Sequence, residues 1–429
     1  MTREYYIGFD IGSSSVKVAI VDSETGENIL SIHEPKHEMS ILSEQKDWAE
    51  QNPNDWWTYI CQATKRILNE SKIDASKILA VGISYQMHGL VIVDSKGEPL
   101  KNAIIWCDSR AVQIGNKAFQ DLSPAQCTES LLNSPANFTA SKLKWVKDNE
   151  PKLFDKIHKF MLPGDFIAFK LTDEISTTKN GLSEGIFWDY KSNNIAEWLL
   201  DYFGFNLDLV PKLVDNFSPQ GYITNKASLE TGLPEGIPIT YRAGDQPNNA
   251  LSLNVFNDGE VAATGGTSGV IYAVTNNKNS KESSRINHFA HVNYSDDNHT
   301  IGKLLCINGA GIMYRWLRNQ SSAESYETMN RQASKIPIGS NGLVILPFGN
   351  GAERMLNNTN IGTQFCNINL NQHNKAHLFR AALEGIAFSF VYGMEILKND
   401  NAKIKVIRAG NDNLFRSEIF AKTLATLIG

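Results

Sequence analysis

Residues 6–22 read YIGFDIGSSSVKVAIVD, a pattern that limits how this part of the chain can fold. Alternating apolar residues predict a strand over Tyr5–Ile11 with Asp10 at its exit, and Val16–Val21 predicts a second strand. The turn between them, Gly12–Ser15, holds only small residues, so backbone N–H groups can approach an anion. An acidic residue beside a hydroxyl-rich turn suits a phosphate with its divalent metal. An ordinary hairpin turn is the alternative.

A second stretch of the same design lies far downstream. Residues 259–274 read GEVAATGGTSGVIYAV, which predicts a strand, the glycine-rich turn Gly265–Gly269 and another strand. Two such units in separate halves predict two related domains whose turns face each other across a cleft. One nucleotide could lie between them. Coincidence is the alternative, because hairpin turns of Gly and Ser are common.

Composition limits the class of protein. A chain of 429 residues predicts two or three domains, and its net charge of −5 argues against a general nucleic-acid binder. The five cysteines are scattered and form no CxxC pair, so we expect reduced thiols. The start of the chain lacks the pattern of a secretion signal, and no apolar run approaches the roughly 18–20 residues of a membrane span. We therefore expect a cytoplasmic protein with no membrane partner.

The order of elements places the domain boundary. Apolar spacing predicts a helix from Pro53 to about Asn69 and strands over Ile78–Ser84 and Leu90–Val93. The segment Thr177–Trp188, rich in Thr, Ser, Gly and Asn, is expected to be a loop near the cleft. We expect the chain to cross into the second domain near Asp245, giving domains 1–243 and 244–429. The last patterned helix ends at residue 428 with nothing after it, so we expect a second domain that is incomplete.

Three places carry residue types that suit catalysis or ligand binding. Asp245 lies between a predicted strand and an apolar run, where it suits a general base or a helix N-cap. His88, in the sequence QMHG, suits ligand binding with Gln86 or a structural hydrogen bond. A further set offers an apolar platform, an acceptor and a forked donor to a polyhydroxylated molecule, or else forms a surface loop with an internal ion pair: Trp106, Asp108 and Arg110.

Other chemistries find little support in the sequence. His288 and His291, with Cys306 farther on, lack the second ligand pair that a zinc site needs. No GxxxxGK[ST] motif occurs, which excludes a P-loop kinase, and no GxGxxG follows a strand as a dinucleotide site would need.

Several short motifs occur together in a fixed order. They are GFDIGSSSVKVAIVD, QMHG, WCDSR, FTASKLKWV, LPGDF, AGDQ, ATGGTSGV and, near the end, HLFRAALEG. In this order they resemble the FGGY family of carbohydrate kinases over nearly the whole chain. The QMHG turn is similar to that of family members that act on D-xylulose.

The resemblance implies an α/β fold of two RNase H-like domains, of the actin/hexokinase/Hsp70 type, with an active-site cleft between them. It implies ATP and Mg²⁺ as cofactors and a small sugar, a ketopentose, as the acceptor. Asp245 would be the catalytic base, and Asp10 would lie near Mg²⁺, acting through water. Family members are often dimers, so a homodimer is a candidate assembly.

The resemblance also assigns binding residues. The expected sugar contacts are Gln86, Met87, His88, Trp106, Asp108, Arg110, Asp245 and Gln246. The expected nucleotide contacts are Gly12, Ser13, Ser14, Gly265, Gly266, Thr267, Ser268, Gly309, Gly311, Gly410, Asn411 and Asn413.

The chain departs from the family pattern mainly in its second half. Where the family often has GERTP, this chain has GAERML at residues 351–356, and Asn367 stands where a glycine is expected. The reaction expected is ATP-dependent phosphorylation of D-xylulose to D-xylulose 5-phosphate. The alternatives are a related kinase for L-ribulose, L-fuculose, glycerol or gluconate, a non-catalytic sensor of sugar or nucleotide, and an actin- or Hsp70-like ATPase.

Overall fold

The structure, a computed structural model, describes residues 3–429, which form two compact units. The first contains the chain up to residue 248 together with residues 290–299, and the second contains residues 249–289 and 300–429. The sequence-based boundary between 243 and 244 lies five residues before this division, and it did not anticipate the return of residues 290–299 to the first unit.

The first unit is built on one five-stranded sheet with small two-stranded sheets beside it. Its strands are β1 Tyr5–Ile11, β2 Val16–Asp22, β3 Asn28–Glu34, β4 Glu50–Gln51, β5 Ile78–Tyr85, β6 Val91–Val93, β7 Ala103–Ile104, β8 Lys159–Met161, β9 Ser176–Thr178, β10 Trp188–Asp189, β11 Asn194–Ile195, β12 Lys212–Val214 and β13 Ile239–Gly244. The main sheet has the order β13-β5-β1-β2-β3, in which β1, β2 and β3 form an antiparallel meander and β5 and β13 run parallel to β1.

Helices cover this sheet. They are α1 Pro53–Ser71, α2 Val112–Asp121, α3 Pro124–Gln126, α4 Thr139–Asn149, α5 Pro151–Phe154, α6 Pro163–Thr172, α7 Lys179–Glu184, α8 Glu197–Phe203, α9 Asn225–Thr231 and α10 Asp245–Ser252. The helix α1 shows why the sequence folds this way: Asn52 caps its N-terminus with Pro53 in the first turn, and Trp56, Ile60 and Ile67 are fully buried along one face.

The second unit repeats the design of the first. Its strands are β14 Glu260–Gly265, β15 Gly269–Thr275, β16 Asn287–Ala290, β17 Ile301–Ile307, β18 Val344–Leu346, β19 Gln364–Cys366 and β20 Val406–Ala409. Its helices are α11 Gly311–Ser321, α12 Tyr326–Ala333, α13 Lys375–Asn399 and α14 Glu418–Ile428. The sheet order is β16-β17-β15-β14-β20, with β14, β15 and β17 as the meander and β20 parallel to β14. The predicted α/β fold with a duplicated strand–turn–strand core is confirmed.

The prediction of a loop over residues 177–188 is wrong. This segment forms the end of β9, the helix α7 and the start of β10, and every one of its residues is buried. Two of its polar side chains bond inside the first unit: Thr178 caps α7, and Asn180 Nδ2 donates to the backbone oxygen of Ala290 at 3.1 Å. Local composition is a poor guide here because tertiary partners satisfy the polar groups.

The described residues give no sign of a disulfide or a metal cage. None of the five cysteines is in a disulfide. Within residues 3–429, no three His, Cys, Asp or Glu side chains are grouped so that they could hold a metal ion. Over the same residues, no helix combines the length and the apolar character that crossing a membrane requires.

Candidate active site

Asp10 and Asp245 lie at the same edge of the first sheet. The parallel strands β1, β5 and β13 are neighbours, with Asp10 opposite Ser84 and Gly244 opposite Tyr85. Asp245 follows at once as the first residue of α10. Parallel sheets of this kind place ligands beyond the carboxyl ends of their strands. The sheet therefore delivers two acidic side chains to one position, as the sequence predicted for each separately.

The electrostatics of Asp245 suit a group that exchanges protons near neutral pH. Burial and, to a smaller extent, the negative charge of Asp10 raise the pKa of Asp245 to about 7, and hydrogen bonds from Gln246 oppose the shift. Lys17 contacts Asp10 at 3.1 Å and also acts to lower the pKa of Asp245. Asp245 remains partly exposed, so a ligand can reach it.

Asp10 also fits a divalent cation held through water. Its side chain is 35% exposed at the exit of β1, beside a turn in which Gly12 N donates to Ser15 O at 3.1 Å. Mg²⁺ usually binds proteins through one or two carboxylates, with water and substrate phosphates completing its shell. A single exposed carboxylate beside a turn of small residues matches that requirement without further protein ligands.

A buried chain of amides joins the QMHG turn to the Gly12–Ser15 turn. Gln86 Nε2 donates to Gln51 Oε1 at 3.1 Å, and Gln51 Nε2 donates to Ser13 O at 2.7 Å. Gln86 is 3% exposed, so its side chain serves this link within the protein. The turn that follows β5 is thereby fixed relative to the turn that follows β1.

Met87 and His88 lie next to the strand exit that carries Asp245. A Cβ atom placed on Gly244 would meet Met87 Cγ and Glu184 Oε2, each at 2.5 Å, so glycine is needed there for close packing. His88 is half-buried and its ring lies edge-on to Phe138 with centroids 4.7 Å apart. The structure thus brings Met87 and His88 into the same region as the Gly244–Asp245 junction.

Of the WCDSR residues, Trp106 differs from Asp108 and Arg110. Trp106 is 53% exposed and is available to a ligand. Asp108 and Arg110 are buried and bond to each other, with Arg110 Nη2 to Asp108 Oδ2 at 2.7 Å. The guanidinium of Arg110 also contacts Glu50 and stacks on the Trp48 ring at 3.7 Å. These contacts match the internal ion pair that the sequence left as an alternative.

The second unit holds a cavity of about 520 Å³ beside the turn after β14. Its lining includes Gly265, Gly266, Thr267, Gly311, Tyr314, Arg315, Tyr326, Glu327, Asn330, Asp412, Asn413, Leu414, Arg416 and Ser417. Five residues expected at the nucleotide thus share one cavity: Gly265, Gly266, Thr267, Gly311 and Asn413. Its size and its mixture of backbone, aromatic and polar groups suit a small-molecule ligand.

Helix α11 docks directly on this turn. Gly311 N donates to Gly266 O at 3.1 Å and Ile312 N donates to Thr267 O at 3.0 Å. A Cβ atom on Gly311 would collide with Gly266 O, so only glycine permits this approach.

Four other nucleotide residues expected in the second unit are not among the residues lining the cavity: Ser268, Gly309, Gly410 and Asn411. Gly309 instead packs against the Pro347 backbone, and its N–H donates to Glu353 Oε1 at 2.7 Å.

The sequence interpretation missed two groups of residues. Glu184 was assigned to a loop, yet it is 2% exposed and contacts the QMHG turn. Tyr314 and Tyr326 also line the cavity of the second unit, with rings stacked 5.8 Å apart. Tyr314 follows Gly311 at helical spacing, so both lie on one face of α11. This spacing is the one feature of the sequence that could have placed Tyr314 beside the cavity.

Family models identify the class of protein to which this fold and site belong. The N-terminal domain of the FGGY family of carbohydrate kinases matches residues 5–252, and its C-terminal domain matches residues 261–429. The protein is an ATP-dependent sugar kinase. The chain belongs to the FGGY family of carbohydrate kinases.

Individual relatives cover most of the chain. It is 30% identical over 403 residues to the xylulose kinase of Staphylococcus epidermidis, spanning 93% of this chain and 78% of that protein. It is 28% identical over 410 residues to the xylulose kinase of Bacillus subtilis, spanning 94% of this chain and 79% of that protein.

Solved structures share the fold. A Brucella ovis structure described as a xyloylose kinase superposes with a TM-score of 0.87 at 25% identity, covering 99% of this chain and 85% of that one. A gluconate kinase from Lactobacillus acidophilus superposes with a TM-score of 0.85 at 23% identity, covering 99% and 84%. The fold is therefore common to kinases with different acceptors.

Proposed function

We propose that this protein phosphorylates D-xylulose to D-xylulose 5-phosphate, with ATP as the phosphoryl donor and Asp245 as the general base. The observation that carries the proposal is the position of Asp245: a carboxyl with a pKa of about 7 follows β13, beside Met87 and near Asp10. The xylulose kinases named above support the choice of sugar, and so does the QMHG turn.

Phosphoryl transfer requires a general base and groups that stabilise the charge on the phosphates. Asp245 accepts the proton of the terminal sugar hydroxyl as that oxygen attacks the γ-phosphorus of ATP, and the bond from phosphorus to the β–γ bridging oxygen breaks. A general base works best when its pKa lies near the working pH. A pKa of about 7 therefore suits Asp245 to catalysis near neutral pH. ADP leaves with the bridging oxygen.

The remaining residues bind and orient. Met87, His88 and Trp106 contact the ketose, with Gln246 beside the base. Hydroxyl and backbone donors of Gly12–Ser14 and Gly265–Ser268 hold phosphate oxygens. The cavity lined by Tyr314, Tyr326 and Asn413 takes the nucleoside. Asp10 would hold Mg²⁺ through water, and the ion would supply positive charge to the phosphates.

Asp108 and Arg110 act on the sugar pocket indirectly in this proposal. Because the two residues bond to each other and Arg110 also contacts Glu50, they shape the loop that presents Trp106. The resemblance implied that both residues contact the sugar directly, and the proposal gives them this indirect role instead.

Sugar-dependent ADP release tests the proposal. The protein is assayed with Mg-ATP and, in separate reactions, D-xylulose, L-ribulose, L-fuculose, glycerol and gluconate. We expect kcat/KM for D-xylulose to exceed that for every other acceptor by at least about tenfold, because a pocket that hydrogen-bonds hydroxyls rejects analogues that leave its groups unpaired. Preference for another acceptor would overturn the substrate and keep the kinase. ATP hydrolysis unaffected by any sugar would support the ATPase alternative.

A further inference from the structure

His88 is held in an unusual backbone conformation by groups outside its own turn. Its φ of 61° lies in the left-handed region, which costs free energy for a residue with a side chain. Such conformations persist where surrounding contacts enforce them, and they cluster at ligand sites. His88 precedes Gly89 in the turn that leads from β5 to β6, so its φ angle sets the direction of the Met87 and His88 side chains.

Glu184 provides two of the contacts that enforce this conformation. Its side-chain Oε1 accepts a hydrogen bond from His88 N at 3.3 Å, and its backbone oxygen lies 3.0 Å from His88 Nδ1. Glu184 ends α7 and is 2% exposed. Burial raises the pKa of Glu184 well above its ordinary value, the hydrogen bond from His88 N opposes the shift, and the charges of Asp245 and Asp165 add to it.

Lys142 provides the third contact, which is to the backbone oxygen of His88. Its Nζ donates to His88 O at 2.8 Å and to Ile105 O at 3.0 Å. Lys142 lies on α4 and is fully buried, and burial lowers the pKa of its ammonium group to about 7. Its two acceptors are backbone oxygens, so the lysine joins the QMHG turn to the segment that begins the WCDSR loop.

We propose that Glu184 and Lys142 are positioning residues that hold His88 in the shape that receives the acceptor sugar. The inference rests on the proposed function, because it takes the QMHG turn to contact the acceptor. Glu184 holds the N–H and the ring of His88, and Lys142 holds the backbone oxygen of His88. Together they fix both peptide groups of a residue whose backbone would otherwise relax toward negative φ.

Glu184→Leu and Lys142→Met test the proposal, since each keeps the side chain near its size and removes its hydrogen bonds. We expect each to raise KM for the acceptor by roughly 10- to 100-fold, the range for a buried group left unpaired, and to change KM for ATP by less than about twofold. The acceptor is whichever sugar the wild type phosphorylates best, so an error in the proposed sugar does not affect the result. Glu184→Gln keeps an acceptor oxygen and should restore most of the affinity.

Two further readouts separate positioning from general stability. Because both residues act through His88, the double variant should raise KM no more than about twofold beyond the worse single variant, whereas independent effects would multiply. Hydrogen exchange of the peptide covering residues 84–90 should quicken in Glu184→Leu and stay near wild type in Glu184→Gln. This readout needs no turnover, and Lys142→Met takes the place of Glu184→Leu if the latter fails to fold.

Lys144→Met is the matched control. Lys144 lies on α4, two residues after Lys142, and it pairs with Asp148 and not with the QMHG turn. It should leave both KM values within about twofold of wild type. The proposal is overturned if Glu184→Leu and Lys142→Met keep the wild-type KM for the acceptor, or if they raise KM for sugar and ATP alike. Unchanged exchange of residues 84–90 in both variants would overturn it as well.

Discussion

At the scale of single residues, Asp245 links the proposed chemistry to stability. Its pKa is about 7 in the folded protein, whereas an aspartate in an unfolded chain titrates near about 3.9. The folded state therefore binds this proton more tightly than the unfolded state. The stabilisation that results is complete below about pH 4 and is lost as the pH rises through about 7.

We predict that Asp245→Asn removes this pH dependence. The melting temperature of the variant minus that of the wild type should increase from pH 5 to about pH 7.5 and then level off, because only the wild type loses the tightly held proton. Thermal unfolding in the absence of ligands, over pH 5–8, measures the difference. A difference that stays constant over this range would show that Asp245 has an ordinary pKa.

Some residues of the candidate site can be predicted from the sequence and others cannot. The acidic residues at strand exits were found because alternating apolar residues fix the strands around them. Asp108 and Arg110 could not be assigned, since a polar pair in a loop reads the same whether it faces a ligand or bonds to Glu50. Glu184 was missed because its buried partners lie about a hundred residues away in the chain.

At the scale of elements, the contact between α11 and the turn after β14 shapes the cavity proposed to bind the nucleotide. Two amides of the first turn of α11 donate to carbonyl oxygens of Gly266 and Thr267. The approach is close enough that residue 311 has no room for a side chain. Changes here should affect the nucleotide and leave the sugar unaffected, because all residues of the cavity belong to the second unit.

We predict that Gly311→Ala weakens MgADP binding by about tenfold or more, since the new methyl group must displace the Gly266 carbonyl. Isothermal titration with MgADP measures the effect, and sugar protection against thermal unfolding should be retained. Gly8→Ala is the control, because a Cβ atom on Gly8 in β1 meets nothing within 4 Å. Equal nucleotide affinity in Gly311→Ala and wild type would refute the role given to this contact.

The fold was largely predictable at this scale. Period-2 patterning and small turn residues gave the β1–β2 and β14–β15 hairpins, and helical spacing with an Asn-Pro start gave α1. The helix α7 was not predictable, since its six residues, KNGLSE, contain a glycine and few apolar side chains. Its stability comes from tertiary hydrogen bonds, which local propensity does not record.

At the scale of the whole molecule, the two units divide the proposed ligands. The QMHG turn, Asp10 and Asp245 belong to the first unit, and the cavity lined by Gly265, Tyr314 and Asn413 belongs to the second. The duplicated sheet explains the division. In each unit, the first two strands of the meander are joined by a turn of small residues that suits a phosphate. The N- and C-terminal family domains match the two halves separately, although the C-terminal match includes residues 290–299 of the first unit.

We predict that each ligand alone slows hydrogen exchange in a different unit. MgADP should protect the segments 265–267, 311–315 and 412–417, which line the cavity of the second unit. D-xylulose should protect the segment 85–89 of the first unit. Exchange mass spectrometry with each ligand separately makes the comparison. Protection of residues 85–89 by MgADP alone, with none in the second unit, would contradict the assignment.

A comparison of the products formed by wild type and by Asp245→Asn tests the role of Asp245 as the general base. Each is incubated with D-xylulose and Mg-ATP, and the phosphorus spectrum of the reaction is followed. We predict a sugar 5-phosphate from the wild type and a rate at least about 10³-fold lower from the variant, as expected for loss of a general base. D-xylulose should still protect the variant against unfolding. Turnover by the variant within about tenfold of wild type would show that Asp245 is not the base.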